Sequence, residues 1–470
     1  MPACIDALFP VSTLPDDPRV ARLVGVYPQV QEGLWMQRVR VLGGALTAAQ
    51  WRALARLVRS VTPGSPLHLT TRQDVEFHDL TAEDVPCVQA VLAEAGLTAL
   101  GAGGDTVRNI TVCPCCCGAA GAVDLLPLAR LMQAALEAEE GILTLPRKFK
   151  VSLSACEAGC GAPFINDLGF TAVRIAGVPP ACGAGQMPAA RGAWGLRVAA
   201  GGSLGARPLA GLVIFDHLDP ADAIPCAVAA VRVLQAFGDR EDRRHARLRH
   251  VRERLGDETF KTILQGTFDL ARQGHEWPTV DLAQTAPAID ALLTLTFPNG
   301  DVTPEAAEAL AHLADREDLR VRISHYHRVI VFGNKGTGSI CPALEAAARP
   351  QPAIVACPGT RWCRHALADT NGLADRLRRE LSGRLAPETT VCISGCPNNC
   401  AHSAAAPIGL VGGQAARDGR RSESWTLLLG GDLGRSPRLA APAASRLSAD
   451  QVVAALASRA KAGEAHHPRA

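Results

Sequence analysis

The polarity pattern of the chain is written twice. Residues 36–58, "MQRVRVLGGALTAAQWRALARLV", alternate apolar and polar side chains, turn at two glycines, then set apolar residues three or four positions apart. Residues 67–80, "LHLTTRQDVEFHDL", alternate again. These periods predict strand, turn, amphipathic helix and strand. The same order recurs at 293–315, "LTLTFPNGDVTPEAAEALAHLAD", and at 319–333, "LRVRISHYHRVIVFG".

Two more blocks extend the repeat. Residues 149–170, "FKVSLSACEAGCGAPFINDLGF", align with 389–410, "TTVCISGCPNNCAHSAAAPIGL", setting Cys156 opposite Cys396 and Cys160 opposite Cys400. Residues 195–213 echo 425–443. Four matched blocks in one order imply a duplicated α+β protein. The crossover falls near the Arg-rich stretch 231–255, which reads as one long helix, and the Gly/Ala/Pro-rich segments 178–193 and 345–353 read as surface loops.

Composition narrows the function classes. A chain of 470 residues supports two or three domains. A formal net charge of +2 gives no bulk reason to expect nucleic acid or a membrane surface. The start lacks a basic segment followed by an apolar one, and no uncharged apolar run of about 18 residues occurs, so a cytoplasmic location is expected. There the 16 cysteines are expected as thiols or metal ligands rather than disulfides.

Cysteine spacing carries the chemistry. "CPGTRWC" holds Cys357 and Cys363, and "CISGCPNNC" holds Cys396 and Cys400 behind Cys392. Four thiolates in loops rich in Gly, Pro and Asn suit an iron-sulfur cluster, with backbone N–H groups donating to sulfur. A Cys₄ zinc site and simple packing are the competing readings, although zinc ligands usually pair at shorter spacing than Cys357 and Cys363. Cys392 fits packing.

Charged strand faces supply the second signal. The chain has five lysines among 48 Lys and Arg, and two of the five, Lys148 and Lys150, share one face of "RKFKVS" with Ser152. Arg38 and Arg40 share a face of "MQRVRV", and "LHLTTRQDVEFH", read as one strand, lines up His68, Thr70, Arg72, Asp74, Glu76 and His78. Such faces can simply meet water. Two ammonium groups about 7 Å apart repel by about 0.6 kcal/mol in water but by about 2.4 kcal/mol at an effective dielectric near 20, so a buried pair calls for an anion.

The ordered motifs "TTRQDVEFH", "RNITVCP", "LPRKFK", "CPGT" and "SGCPNNC" resemble the sirohaem and [4Fe-4S] nitrite and sulfite reductases, from about residue 30 to 460. The resemblance implies a three-lobed, internally duplicated α+β fold with pseudo-two-fold symmetry and cofactors where the lobes meet. Its parts would be a ferredoxin-like half-domain at 25–90, a first sirohaem-binding repeat at 100–255, a second half-domain at 270–335 and a second repeat at 345–460. It implies that Cys357, Cys363, Cys396 and Cys400 hold the cluster, Cys400 also ligating the sirohaem iron. It further implies that Arg38, Arg108, Lys148 and Lys150 surround the substrate. Arg72 and His78 would hold sirohaem carboxylates, with Arg40 and Gln73 as further contacts.

In the first repeat Cys113 matches Cys357, but Ala119 stands opposite Cys363, so Cys113, Cys115, Cys116, Cys117, Cys156 and Cys160 are expected in packing or inert loops. A lysine at both positions of "KxK" resembles the sulfite reductases, which gives sulfite to sulfide as the expected reaction and nitrite to ammonia as the alternative. Electrons would come from a ferredoxin or flavoprotein. The related precorrin-3B synthase and a zinc-stabilised binding module complete the alternatives. His325, Tyr326 and His327 depart from the amide side chains the family pattern suggests at that strand.

Overall fold

The computed structural model describes residues 8–114, 123–155, 157–175, 194–282, 285, 291–333, 336–417 and 420–461. Eighteen strands among these residues form four sheets. In chain order they are β1 (Val26–Pro28), β2 (Trp35–Val39), β3 (Leu67–Leu69), β4 (Val75–Leu80), β5 (Thr111–Val112), β6 (Val151–Ser154), β7 (Leu168–Arg174), β8 (Trp194–Ala200) and β9 (Leu212–Leu218). The second half carries β10 (Ala291–Thr296), β11 (Asp301–Val302), β12 (Leu319–Ile323), β13 (Arg328–Gly333), β14 (Ala353–Ala356), β15 (Thr390–Ser394), β16 (Ile408–Arg417), β17 (Arg420–Leu429) and β18 (Ala441–Leu447).

The duplication holds strand for strand. The sheets β5-β6-β7-β8-β9 and β14-β15-β16-β17-β18 share one order, two parallel pairings followed by two antiparallel ones. The Cys113 N–H bonds Leu153 O at 2.8 Å and the Cys357 N–H bonds Ile393 O at 3.0 Å, which confirms their pairing. By the same registers Lys148 and Lys150 face Glu388 and Thr390 in the second copy, and Asp167 faces Pro407.

The two half-domains join in one lobe. β11 pairs with β3, extending the sheet β1-β2-β4-β3 across the pseudo-symmetry, beside the sheet β10-β13-β12. Helices Ala48–Val61 and Pro304–Ala314 start at Thr47 and Thr303, whose hydroxyls accept from Gln50 N and Ala306 N at 3.2 Å. They pack together, and Trp51, Leu54, Ala307 and Leu310 belong to one core. Two more cores, one around Phe149, Phe170 and Val228 and one around Trp425, Leu377 and Leu410, complete three lobes.

Close approach between half-domains requires glycine at position 44. Gly44 has φ of +72°, and a Cβ there would lie 2.3 Å from the Ile323 carbonyl oxygen.

Four sequence expectations change. The segment 345–353 is not a loop throughout, because the helix Pro342–Ala348 runs into it, while 178–193 lies outside the described residues. Residues 67–80 form a hairpin, not one strand: Thr70 N–H bonds Asp74 O at 2.9 Å, and Gln73 turns at φ +64°. Residues 319–333 fold likewise, with Ser324 N–H on Arg328 O at 2.8 Å and His327 at φ +54°. The Arg-rich stretch is two helices, Ala223–Phe237 and Leu248–Leu255, the first capped where Gly238 leaves helical geometry. Phe260, Leu264 and Phe268 of the next helix carry the first-repeat core beyond residue 255. Among the described residues one stretch, Pro220–Phe237, is long and apolar enough to cross a membrane, but 61% of it is buried, as befits a core helix.

Candidate functional site

The hairpin turns bring the two halves to a common centre. In the first, Thr70 Oγ1 accepts from Arg72 N at 3.2 Å and Asp74 N at 3.0 Å, which lifts Arg72 to the tip. Arg72 donates to Asn166 Oδ1 at 2.8 Å and Asn109 O at 2.7 Å, while its buried Nε has no partner. Burial pushes its guanidinium down to about 10, against the pull of Asp74. In the second turn Tyr326 stands where Arg72 stands in the first, and packs against the small core of Ala353, Val355 and Cys392 that Cys357 also touches.

Lys148 and Lys150 lie side by side ahead of β6, with Phe149 buried between them, so the predicted alternation holds. Burial, then Arg247, Arg108 and Arg147, brings the Lys148 ammonium down to about 7, while Cys400 pulls the other way. Burial, then Arg72, Lys148, Arg247 and Arg108, depresses Lys150 further. Arg108 is buried, donates to Ala102 O, and leaves Nε without a partner. Arg72, Arg108, Lys148 and Lys150 are thus gathered together, with Cys400 within electrostatic reach of Lys148. Partly buried cations in that number, without ion-paired carboxylates among the described residues, are arranged as an anion would require.

Arg38 stands at the edge of this group. Its Nε donates to Glu76 Oε1 at 2.7 Å, its guanidinium lies 5.2 Å from the Tyr27 ring centre, and Glu76 holds its charge firmly. Tyr27 sits between Arg38 and Arg108; burial raises its pKa, but the two arginines prevail and hold it below the ordinary phenol value.

Three residues expected as cofactor contacts have partners within the protein. His78 is buried, with Nε2 3.2 Å from Glu76 Oε2 and Nδ1 3.0 Å from Gln29 Oε1, so both ring nitrogens are engaged. Gln73 Nε2 donates to Val112 O at 2.8 Å and Ile323 O at 2.7 Å, and Oε1 accepts from Val112 N at 2.8 Å. It pins the first repeat to both half-domains. Arg40 pairs with Glu137 on the helix Leu126–Glu137. Local partners satisfy each of these groups, and alternation alone could not reveal that.

The cysteine loops cap β14 and β15. Gly395 N–H donates to Cys357 Sγ at 3.2 Å, and Cys363 N–H to Gly359 O at 3.0 Å. Asn399 bridges Gly205 O of the first repeat at 2.9 Å and Ala404 N at 3.2 Å, between Cys396 and Cys400. Thr71 Oγ1 donates to Cys400 O at 2.8 Å, tying the first hairpin turn to the second-repeat loop. Burial, then Cys400, drives the Cys357 thiol up to about 12, with Cys363 adding to the rise.

No three His, Cys, Asp or Glu side chains among the described residues converge on one metal-ion position. A four-iron cube needs its four cysteines further apart than a single ion does, and N–H donation to sulfur is the support such a cluster needs. The loops therefore fit a cluster. Cys392 is buried with Ala353 and Val355, Cys113 lies in the first-repeat core and Cys160 packs against it. Cys115, Cys116, Cys117 and Cys156 lie outside the described residues.

Sequence reasoning missed Arg247, Asp167 and His402. Asp167 is fully buried, and Arg247 grips it through Nε at 2.9 Å and Nη2 at 2.6 Å. His402 has φ of +65° and is held well below the ordinary imidazole range by burial, then by His325 and Lys150. The only signal for Arg247 was its place in the Arg-rich stretch.

The family described as "Nitrite and sulphite reductase 4Fe-4S domain" matches residues 103–269 and 352–458, and "Nitrite/Sulfite reductase ferredoxin-like half domain" matches 27–95. An assimilatory ferredoxin-dependent nitrite reductase of Haloferax mediterranei is 28% identical, covering 94% of this chain and 82% of its own. A ferredoxin–nitrite reductase of Synechococcus elongatus is 29% identical over 87% of this chain and 82% of its own. A "Sulfite reductase [ferredoxin] 2" of Mycolicibacterium paratuberculosis is 28% identical over 85% and 74%. The Mycobacterium tuberculosis NirA structure superposes with a TM-score of 0.77 at 22% identity, covering 96% of this chain and 87% of its own, a match of fold. The chain belongs to the nitrite and sulfite reductase family, whose cofactors are sirohaem and a [4Fe-4S] cluster.

Proposed function

We propose that this chain reduces nitrite to ammonia with six electrons delivered by a reduced ferredoxin in the cytoplasm, and reduces sulfite more slowly. The observation that carries the substrate is the pair of relatives from Haloferax mediterranei and Synechococcus elongatus, both named as ferredoxin-dependent nitrite reductases and both matched over most of their length. This reverses the preference drawn from Lys150. Two ammonium groups on one strand face attract any small oxyanion, and sulfite and nitrite both qualify. Sulfite keeps a place as second substrate because a named sulfite reductase is equally similar.

In this reading Cys357, Cys363, Cys396 and Cys400 would hold the cluster, Cys400 would also hold the sirohaem iron, and Arg72 would face a sirohaem carboxylate. When bound, the cofactors supply electrons to the oxyanion at its central atom. The protein supplies charge and protons. Arg108, with Arg38 behind it, fixes the oxyanion electrostatically, since a guanidinium keeps its proton at neutral pH. Lys148, near pH 7 in proton affinity, and Lys150 donate protons to departing oxygens. Hairpin turn and cysteine loop, joined through Thr71 and Cys400, keep substrate groups and electron path in one frame.

An anaerobic assay with reduced ferredoxin tests the reading. Ammonium should form in step with ferredoxin oxidation, six electrons for each nitrite consumed. Ferredoxin oxidation without ammonium would refute it.

A further inference from the structure

The Arg-rich stretch has a use beyond linking the two halves. One carboxylate oxygen, Asp167 Oδ2, accepts both the Lys150 backbone N–H at 2.9 Å and Arg247 Nη2 at 2.6 Å. Arg247 Nε on Oδ1 at 2.9 Å makes the pair bidentate. Asp167 is shut from solvent and the Arg247 side chain is 12% exposed. The next residue of the same neighbouring segment holds the backbone too, as Leu168 N–H bonds Lys150 O at 3.1 Å. The second copy has Pro407 and Thr390 at these places, so the clamp accompanies the lysines and is absent where they are absent.

We propose that Arg247, braced by Asp167, is a positioning residue for Lys150: it locks the strand beneath the lysine and adds a cationic wall that makes its ammonium yield a proton to the bound oxyanion. The Nζ–H bond breaks, an O–H bond forms on the departing oxygen, and the amine takes its next proton from water. The groups facing Lys150 are Arg72 from the hairpin turn, Lys148 from the same segment ahead of β6, Arg108 ahead of β5, Arg247, and His402 from the cysteine loop. Arg247 also leads the charged neighbours acting on Lys148. In those surroundings the proton affinity of Lys150 falls well below that of a free lysine, burial acting first.

The inference rests on the oxyanion-reducing reading for the use of the proton, but its test needs no substrate. The purified holoprotein is labelled with an amine-acylating reagent across a pH series, and the Lys150 peptide is followed by mass spectrometry against exposed Lys461. Arg247→Gln should raise the half-labelling pH of Lys150 by about 0.4 to 1.7 units, the span for a unit charge about 7 Å away at dielectrics of about 80 and 20. Arg247→Lys should restore it towards wild type. Arg247→Met, which keeps the aliphatic stem, should shift it as Gln does and serves if the Gln variant does not accumulate. An unchanged half-labelling pH in the neutral variants would overturn the inference, whether or not nitrite is the substrate.

Discussion

His78 lies flat against Trp362, with ring centroids 3.6 Å apart and planes 5° from parallel. Trp362 sits between Cys357 and Cys363, and Arg361 covers its ring at 3.9 Å. The first half-domain thereby props the second-repeat cysteine loop. Trp362→Ala should remove about 3–5 kcal/mol of stability and loosen the loop. Denaturant titration together with iron per chain measures both; full iron content and an unshifted midpoint would contradict this role.

Gln73 tests the joint between lobes. Replacing it with Ala strands buried carbonyls of Val112 and Ile323, at about 1–3 kcal/mol. The loss should appear as reduced global stability, while sirohaem absorbance per folded chain stays at the wild-type level. A selective loss of sirohaem would instead return Gln73 to the cofactor.

The pH dependence of stability follows from Lys148. Its folded value of about 7 lies below the ordinary 10.5, so between these pH values the unfolded chain holds more protons. Stability of the cofactor-free chain should therefore rise with pH across that window and be at its lowest below about pH 7. Lys148→Met should flatten the slope; an equally steep slope in that variant would contradict the assignment.

The duplication and the order of the motifs were legible because repeated polarity survives in the sequence even when contacts do not. Cys113 and Cys357 could be paired on paper, and their matched backbone bonds agree. The hairpin turns were not legible. Polar alternation from His68 to His78 continues through the turn without a Gly or Pro, and Gln73 accepts a positive φ in a setting where its own side chain pins it. His78 and Arg40 share the polar pattern of the residues expected to meet an anion, but their partners, Gln29, Glu76 and Glu137, become visible only in space. Arg247 and Asp167 are 80 residues apart, beyond the reach of any local pattern.

Lys150→Asn separates the two oxyanions. An amide retains hydrogen bonding but cannot deliver the proton, and sulfite must lose more oxygens than nitrite. Sulfite turnover should fall by about tenfold or more, with a smaller loss on nitrite. Equal losses on both would remove Lys150 from substrate discrimination.

The central claim is the choice of substrate, and the most direct measurement is kcat/KM for nitrite and for sulfite, taken on one preparation with one reduced ferredoxin. The account predicts a larger value for nitrite, with ammonium as product. A larger value for sulfite, with sulfide as product, would contradict it.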